Sequence, residues 1–293
     1  MPQTPETVEV DFITPRHLAG GGDPAWITVP LHRACGWSHG NDPLMPRVLL
    51  SSPDQKALLR LEPDPDGQWW NLNHAAEADR PAWYASFGAR TPVELIAAFT
   101  DALTDPAPAA SAPCDPYEPL RQSAWQPPAI GADGLVSPDG TAHVQRLGTA
   151  QEPGAWFVTA SLGPARNPVW QARFGEHTPA RLVAAFTASL VDPHPVARTG
   201  SLRSLPTRDP GVVTRRTTDV LAVHVAGALE ERVRALAARA APSRRRLQAR
   251  RASRRPGTTA AAESPPPPGR LVTLCPPPPP TLPPTGTTSS CAS

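Results

Sequence analysis

Lysine is almost missing: of the 28 Lys and Arg side chains only Lys56 is a lysine, a bias that points to a GC-rich coding sequence rather than to a chemistry. No apolar run approaches the ~18 residues of a membrane span, so none is expected. Met1 to Glu6 has neither the basic start nor the apolar stretch of a secretory signal. The four cysteines, Cys35, Cys114, Cys275 and Cys291, show no spacing of a disulfide framework. A reducing cytoplasm is therefore the expected compartment.

Catalytic signatures are lacking as well. The Ser-Pro-Asp turns at Ser52 and Ser137 offer a serine and a carboxylate, but no histidine stands at matching positions in both, and nucleophilic catalysis needs a base beside the serine. Turn chemistry explains them, since Ser, Pro and Asp each favour such positions. His17 to Asp23 is glycine-rich but lacks the lysine and the strand–helix setting of a phosphate loop, and reads as a flexible connection. His32, Cys35 and His39 are all usable by zinc, yet a closed site needs four ligands and only His74 is a remote fourth. We expect no enzyme, no metal and no cofactor.

What is present is repetition. Residues 81–106 return at 168–193, with Pro81, Trp83, Ala85, Phe87, Gly88, Thr91, Pro92, Leu95, Ala97, Ala98, Phe99, Thr100, Leu103, Asp105 and Pro106 all recurring, which marks a tandem duplication. In the first copy Trp26–Val29 and Arg47–Ser51 read as strands, and Ser52–Gln55 as a turn. Lys56–Glu62, Trp69–Asn73 and Ala82–Phe87 read as further strands, the last with Trp83, Ala85 and Phe87 on one face. Thr91-Pro92-Val93-Glu94 opens a helix in the manner of a capping box, with Ile96, Phe99 and Leu103 as its apolar stripe. The second copy is shorter: Trp156 aligns with Trp69, His74 with Ser161, and Arg181 replaces Glu94, so the box is lost.

The fold class expected is α+β: two tandem homologous repeats, each an antiparallel sheet followed by one C-terminal helix, packed as a pseudo-dimer. The boundaries are a flexible N-terminus 1–9, a first repeat 10–106, a linker 107–116, a second repeat 117–193 and a linker 194–218. An amphipathic helix follows at 219–241, stopped by Pro242, and then an Arg-rich and Pro-rich disordered tail, 242–293. Proline supports the last assignment. It makes up 41 of 293 residues, about 14 % against a usual ~5 %, and it is concentrated late.

Charge divides the chain in the same way. Residues 1–197 hold 12 basic and 21 acidic side chains, net −9, and residues 198–293 hold 16 and 5, net +11. Arg244, Arg245, Arg246, Arg250, Arg251, Arg254 and Arg255 form the densest cluster and are the candidate binding residues. Three readings stay open: a clamp on nucleic-acid phosphates, a contact to an acidic protein surface including the chain's own body, or a solvated tail. The tryptophans could form a stacking platform for single strands. Because the body is acidic, core packing is the preferred reading for Trp83 and Trp170, while one of Trp69 and Trp70 is expected to reach the surface.

The twin Ser-Pro-Asp turns, the Trp-x-x-x-Phe-Gly strands and the Thr-Pro-x-x-Leu helices resemble the SPDY domain, over about residues 10–240. This is a domain of unknown function frequent in Streptomyces-type actinomycetes, often in tandem. The resemblance implies no activity, catalytic residue or cofactor. The expected function is a non-enzymatic binding or protein-interaction module with an unknown protein partner. The alternative is a nucleic-acid-associated accessory protein whose tail contacts phosphate without reading sequence.

Overall fold

The computed structural model of the chain describes residues 6–40, 47–62, 67–105, 114–128, 134–148, 154–163, 167–200 and 205–253, with backbone alone over 242–253. Residues 1–250 form one compact unit; of the second, 251–293, only the helical backbone to Ser253 is described.

Nine strands make a single antiparallel sheet. The first repeat supplies β2 (Ser38–Gly40), β3 (Val48–Ser51), β4 (Ala57–Leu61), β5 (Gln68–His74) and β6 (Trp83–Gly88). The second supplies β7 (Leu135–Val136), β8 (Ala142–Leu147), β9 (Ala155–Leu162) and β10 (Asn167–Phe174). The spatial order is β2-β3-β4-β5-β6-β10-β9-β8-β7, so the two repeats join edge to edge through β6 and β10. At that seam Phe87 pairs with Ala172, Ser86 with Arg173 and Ala85 with Phe174. Since Ala85 and Phe87 recur as Ala172 and Phe174, the pairing is self-complementary, as at a twofold interface. Fusing the sheets removes two edges that would otherwise offer unpaired backbone groups.

One face of this sheet carries the helices α1 (Ala25–Arg33), α2 (Val93–Leu103), α3 (Glu118–Gln122) and α4 (Ala180–Leu190). They pack in the order α1, α2, α4, α3, which repeats the symmetry of the strands. At its centre Phe87, Phe99, Phe174 and Phe186 are all fully buried. Phe87 meets Phe174 at 5.7 Å and stacks on Phe186 at 5.8 Å, while Phe99 stacks on Phe174 at 5.4 Å. Each such pair is worth about 0.5–1.5 kcal/mol beyond the area it buries. Trp83 and Trp170 lie in the same core, 7 % and 4 % exposed.

Both Ser-Pro-Asp turns are built alike. The Ser52 hydroxyl donates to Asp54 (2.6 Å) and accepts from the Ala57 N–H (2.9 Å). Ser137 does the same with Asp139 (2.5 Å) and Ala142 (2.8 Å). Gln55 and Gly140 follow with positive φ, 60° and 70°, and only glycine adopts that without strain.

Several expectations need correction. Trp26–Val29 is not a strand but part of α1. Ile27, Leu31 and Ala34 are buried at helical spacing, and that stripe overrides the β-branched local preference. Pro30 sits inside α1 and cannot donate to the Trp26 carbonyl oxygen, which takes a bond from Arg232 Nε (2.9 Å) instead. Neither long helix is capped by its threonine: proline occupies the N-cap of both α2 and α4, with no side-chain bond. Glu94 turns instead to Arg198, in a two-pronged ion pair at 2.6 and 2.8 Å. The register pairs both Trp70 with Phe87 and Trp156 with Phe174, so Trp156 matches Trp70, not Trp69; likewise His74 matches Ala160, not Ser161. The second copy has one more residue between Trp156 and Trp170 than the first has between Trp70 and Trp83. A bulge between Pro168 and Trp170 lies in that interval, so the offset is 87 at β6 and β10 but 86 at β5 and β9.

The segment read as a linker, 194–218, contains β11 (Val196–Thr199) and most of β12 (Thr214–Leu221). Together with β1 (Thr7–Thr14) they form a second sheet in the order β11-β1-β12. The last helix, α5, runs Ala222–Ser253, starting after β12 and continuing through Pro242. Alanine, arginine, leucine and glutamine are strong helix formers, and here they outweigh the one hydrogen bond that Pro242 removes. The expectation of disorder over 254–293 lies outside the described residues, as do most of the 107–116 linker and residues 63–66.

Candidate functional site

The strands alternate, so each residue that leaves the core face belongs to the other face of the sheet. No described element covers that other face. Paired positions build a row across it: Leu49, Arg60, Asn71, Ser86, Arg173, Phe157 and Gln145, one from each of seven adjacent strands. Six strand spacings make this row about 29 Å long. Asn73 and Tyr84 form a second pair beside it in the first repeat, with Gln171 and Thr159 at the related places in the second.

Tyr84 is 46 % exposed and Trp69, at the bulge, 43 %. Tyr84 is held in place. Its carbonyl oxygen accepts from the Gly175 N–H (2.9 Å) and the Thr178 hydroxyl (2.9 Å). Its ring lies across Gly175, where a Cβ would come within 2.8 Å of a ring carbon. Glycine at that position is therefore what lets the ring lie flat.

Electrostatically the face departs from the rest of the body. The nine strands contain no aspartate or glutamate, although residues 1–197 carry a net −9. Their formal charges are Arg60 and Arg173 on the open face and Arg146 over the Trp156 ring. Arg173 Nε donates to the Gln171 amide oxygen (2.7 Å). The Nε of Arg60 is buried and has no partner among the described residues. The described acidic side chains lie in loops, in helices and on the second sheet (Glu9, Asp11 and Asp219). Several pair with arginine: Asp101 with Arg232 (2.8 Å), Asp105 with Arg239 (3.2 Å), and Glu230 with Arg33.

The residues singled out by sequence fall elsewhere. Arg244, Arg245, Arg246, Arg250 and Arg251 lie on the backbone of α5, their side chains outside the described residues; Arg254 and Arg255 lie outside altogether. His32 Nδ1 is 2.8 Å from the Trp37 carbonyl oxygen, and its ring is 5.8 Å from that of His39. His74 stacks on Trp83. Among the described residues no three ligating side chains converge. Trp70 is 3 % exposed, which leaves Trp69 as the surface member of that pair.

The glycine-rich stretch is not a free connection. The Gly21 carbonyl oxygen accepts from the Val93 N–H at the start of α2 (2.7 Å), and a Cβ at Gly21 would come within 2.8 Å of the Ala89 carbonyl oxygen. Next to it His17 is buried, with Nε2 2.6 Å from the Thr141 hydroxyl and 3.6 Å from Asp139. The Ser137–Asp139–His17 grouping has the residue types of a triad but not the order. The serine bonds the carboxylate, and the imidazole meets threonine.

The fold thus defines the class, a tandem α+β repeat protein with extensive antiparallel sheet. The family model of SPDY, a domain of unknown function (DUF317), matches residues 51–109 and 136–196, so the chain carries the SPDY domain twice in tandem. These matches run from the Ser-Pro-Asp turns through α2 and α4, narrower than the resemblance over 10–240. No curated protein and no solved structure matches the chain.

Proposed function

We propose that the protein is a non-enzymatic binding module whose site is the open face of the nine-stranded sheet. One observation carries this reading. A surface about 29 Å long, rigidly backed by the aromatic core, combines an exposed ring at Tyr84 with amides and two arginines and has no carboxylate on its strands. Acidic side chains are normally frequent on a solvated face, so a polar and aromatic surface whose strands carry no carboxylate marks contact with a partner. No helix among the described residues is long and apolar enough to cross a membrane. The free thiol of Cys114 fits the reducing cytoplasm in which we place the module.

Co-purification with the tagged full-length chain tests the reading. Partner recovery should fall several-fold when Tyr84→Ala and Phe157→Ala are combined, at unchanged melting temperature within a few degrees. Recovery unaffected by that variant overturns it.

A second reading keeps the arginine cluster as a phosphate contact. It is favoured by the length of α5, which carries residues 244–253 on helical backbone rather than leaving them in an unstructured tail. Duplex DNA binding that disappears on replacing the seven arginines by glutamine is the outcome that supports it.

A further inference from the structure

We infer that the ligand of the open sheet face is a single-stranded nucleic acid. This rests on the reading of that face as the binding site and adds the class of molecule it takes. Three features of the face converge. Two aromatic rings stand on it: Tyr84, 46 % exposed and laid across Gly175, and Phe157, half-buried on β9. Unstacked bases stack on such rings, whereas a duplex hides its base faces. Amides stand next to them, Asn71 and Asn73 on β5, and an amide offers a donor and an acceptor to a base edge. Arg60 and Arg173 stand in one row three strands apart, about 14 Å, as phosphate contacts along a strand laid across the sheet.

Charge complementarity selects this occupant. A chain with −9 on residues 1–197 keeps every carboxylate out of its nine strands, so strands free of acid coincide with the face that presents the rings. An acidic peptide would use the arginines but leave the rings and amides without a role. An apolar partner would bury the Arg60 guanidinium, whose Nε has no partner among the described residues, against apolar surface.

The test uses the full-length chain in which the seven arginines from Arg244 to Arg255 are replaced by glutamine, so that the C-terminal cluster cannot bind. Labelled 12-nucleotide oligo-dT and oligo-U are titrated at several salt concentrations; the two arms separate DNA from RNA. We expect binding by at least one oligonucleotide, and at least tenfold weaker binding of a duplex of equal length. The slope of log affinity against log salt should be about −1.4, from two phosphates at about −0.7 each. Combining Tyr84→Ala with Phe157→Ala should weaken binding at least tenfold, since each lost stack costs about five- to hundredfold. Tyr84→Phe should stay within about threefold, and Arg60→Gln with Arg173→Gln should bring the salt slope near zero. The inference is overturned if neither oligonucleotide binds, if the ring variant binds as tightly as the parent, or if poly-glutamate displaces the oligonucleotide at equal charge. Should it fail while protein co-purification still depends on Tyr84 and Phe157, the ligand class is wrong and the binding face stands. Should co-purification be indifferent too, both fall.

Discussion

Ser86 stands directly opposite Arg173 on the seam between β6 and β10, and the pair marks the pseudo-twofold axis of the molecule. The same residue of the repeat is a small hydroxyl in one copy and a cation in the other. On the core side of this axis the repeats are nearly identical; on the open side they have diverged. Tyr84 answers to Gln171, and Asn71 to Phe157. A duplicated scaffold has kept its packing while its outer surface became one asymmetric face.

The shared core makes the two repeats energetically dependent. Phe87→Ala and Phe174→Ala should each cost about 3–5 kcal/mol. Their effects should not add: rings 5.7 Å apart are coupled, and the double mutant should depart from the sum by about 0.5–1.5 kcal/mol. Urea denaturation of the two singles and the double is the check, and strict additivity would show that the repeats fold independently.

Trp83→Ala and Trp170→Ala should each fall in the same range, about 3–5 kcal/mol. Trp170 has an extra attachment, since its indole N–H donates to the His17 carbonyl oxygen at 2.8 Å. Replacing Trp170 by Phe should therefore cost about 1 kcal/mol more than replacing Trp83 by Phe. Equal losses would mean that this bond contributes nothing.

Equivalent threonines should respond in opposite directions. The Thr91 hydroxyl is buried with no partner among the described residues, while the Thr178 hydroxyl donates to the Tyr84 carbonyl oxygen. Thr91→Val removes an unsatisfied group and should stabilise by about 1 kcal/mol; Thr178→Val loses a bond and should destabilise by about as much. Thermal melts of the two variants decide, and a shift of the same sign in both would contradict the assignment.

Asp139 sets an acid limit on stability. Burial opposes its ionisation, but contacts from His17, the Ser137 hydroxyl and the Thr141 N–H outweigh that and hold its carboxyl well below the usual carboxylate range. A carboxyl depressed on folding contributes stability that is present above its unfolded pKa, about 3.9, and is lost as pH falls towards the folded value. The stability difference between the parent and Asp139→Asn should thus be constant from about pH 5 to 7 and shrink below about pH 4. A difference that persists unchanged down to about pH 2.5 would show that Asp139 is not linked to folding in this way.

Much of this was legible in the sequence, for identifiable reasons. The repeat, the Ser-Pro-Asp turns and the burial of Trp83, Phe87, Trp170 and Phe174 follow from local pattern, because strand alternation and turn chemistry act over a few residues. What escaped was non-local. Trp26–Val29 became a helix because Ile27, Leu31 and Ala34 pack as a stripe, and Glu94 abandoned a cap for Arg198, 104 residues away. The extra residue between Trp156 and Trp170, where β10 carries a bulge, moved the offset by one, so Trp156 inherited the place of Trp70. The face of Tyr84, Asn71 and Arg173 could not be read, since it exists only once β6 and β10 are paired. Its signal was nonetheless present: strand after strand without aspartate or glutamate, in an acidic chain.

Gly175 offers a change that disturbs the face without touching it chemically. In Gly175→Ala the new Cβ would crowd the Tyr84 ring at 2.8 and 2.9 Å, so the ring must swing off the sheet. Ligand affinity should fall several-fold with the melting temperature changed by only a few degrees. Affinity equal to the parent's would mean that the pose of Tyr84 is immaterial.

The most direct measurement is photo-crosslinking of the full-length chain to labelled oligo-dT and oligo-U, followed by peptide mapping. Crosslinks should fall on the peptides carrying Tyr84 and Phe157, on strands β6 and β9, and should be lost with Tyr84→Ala and Phe157→Ala. Crosslinks confined to residues 244–255, and indifferent to those substitutions, would contradict the account and place nucleic-acid contact on the arginine cluster alone.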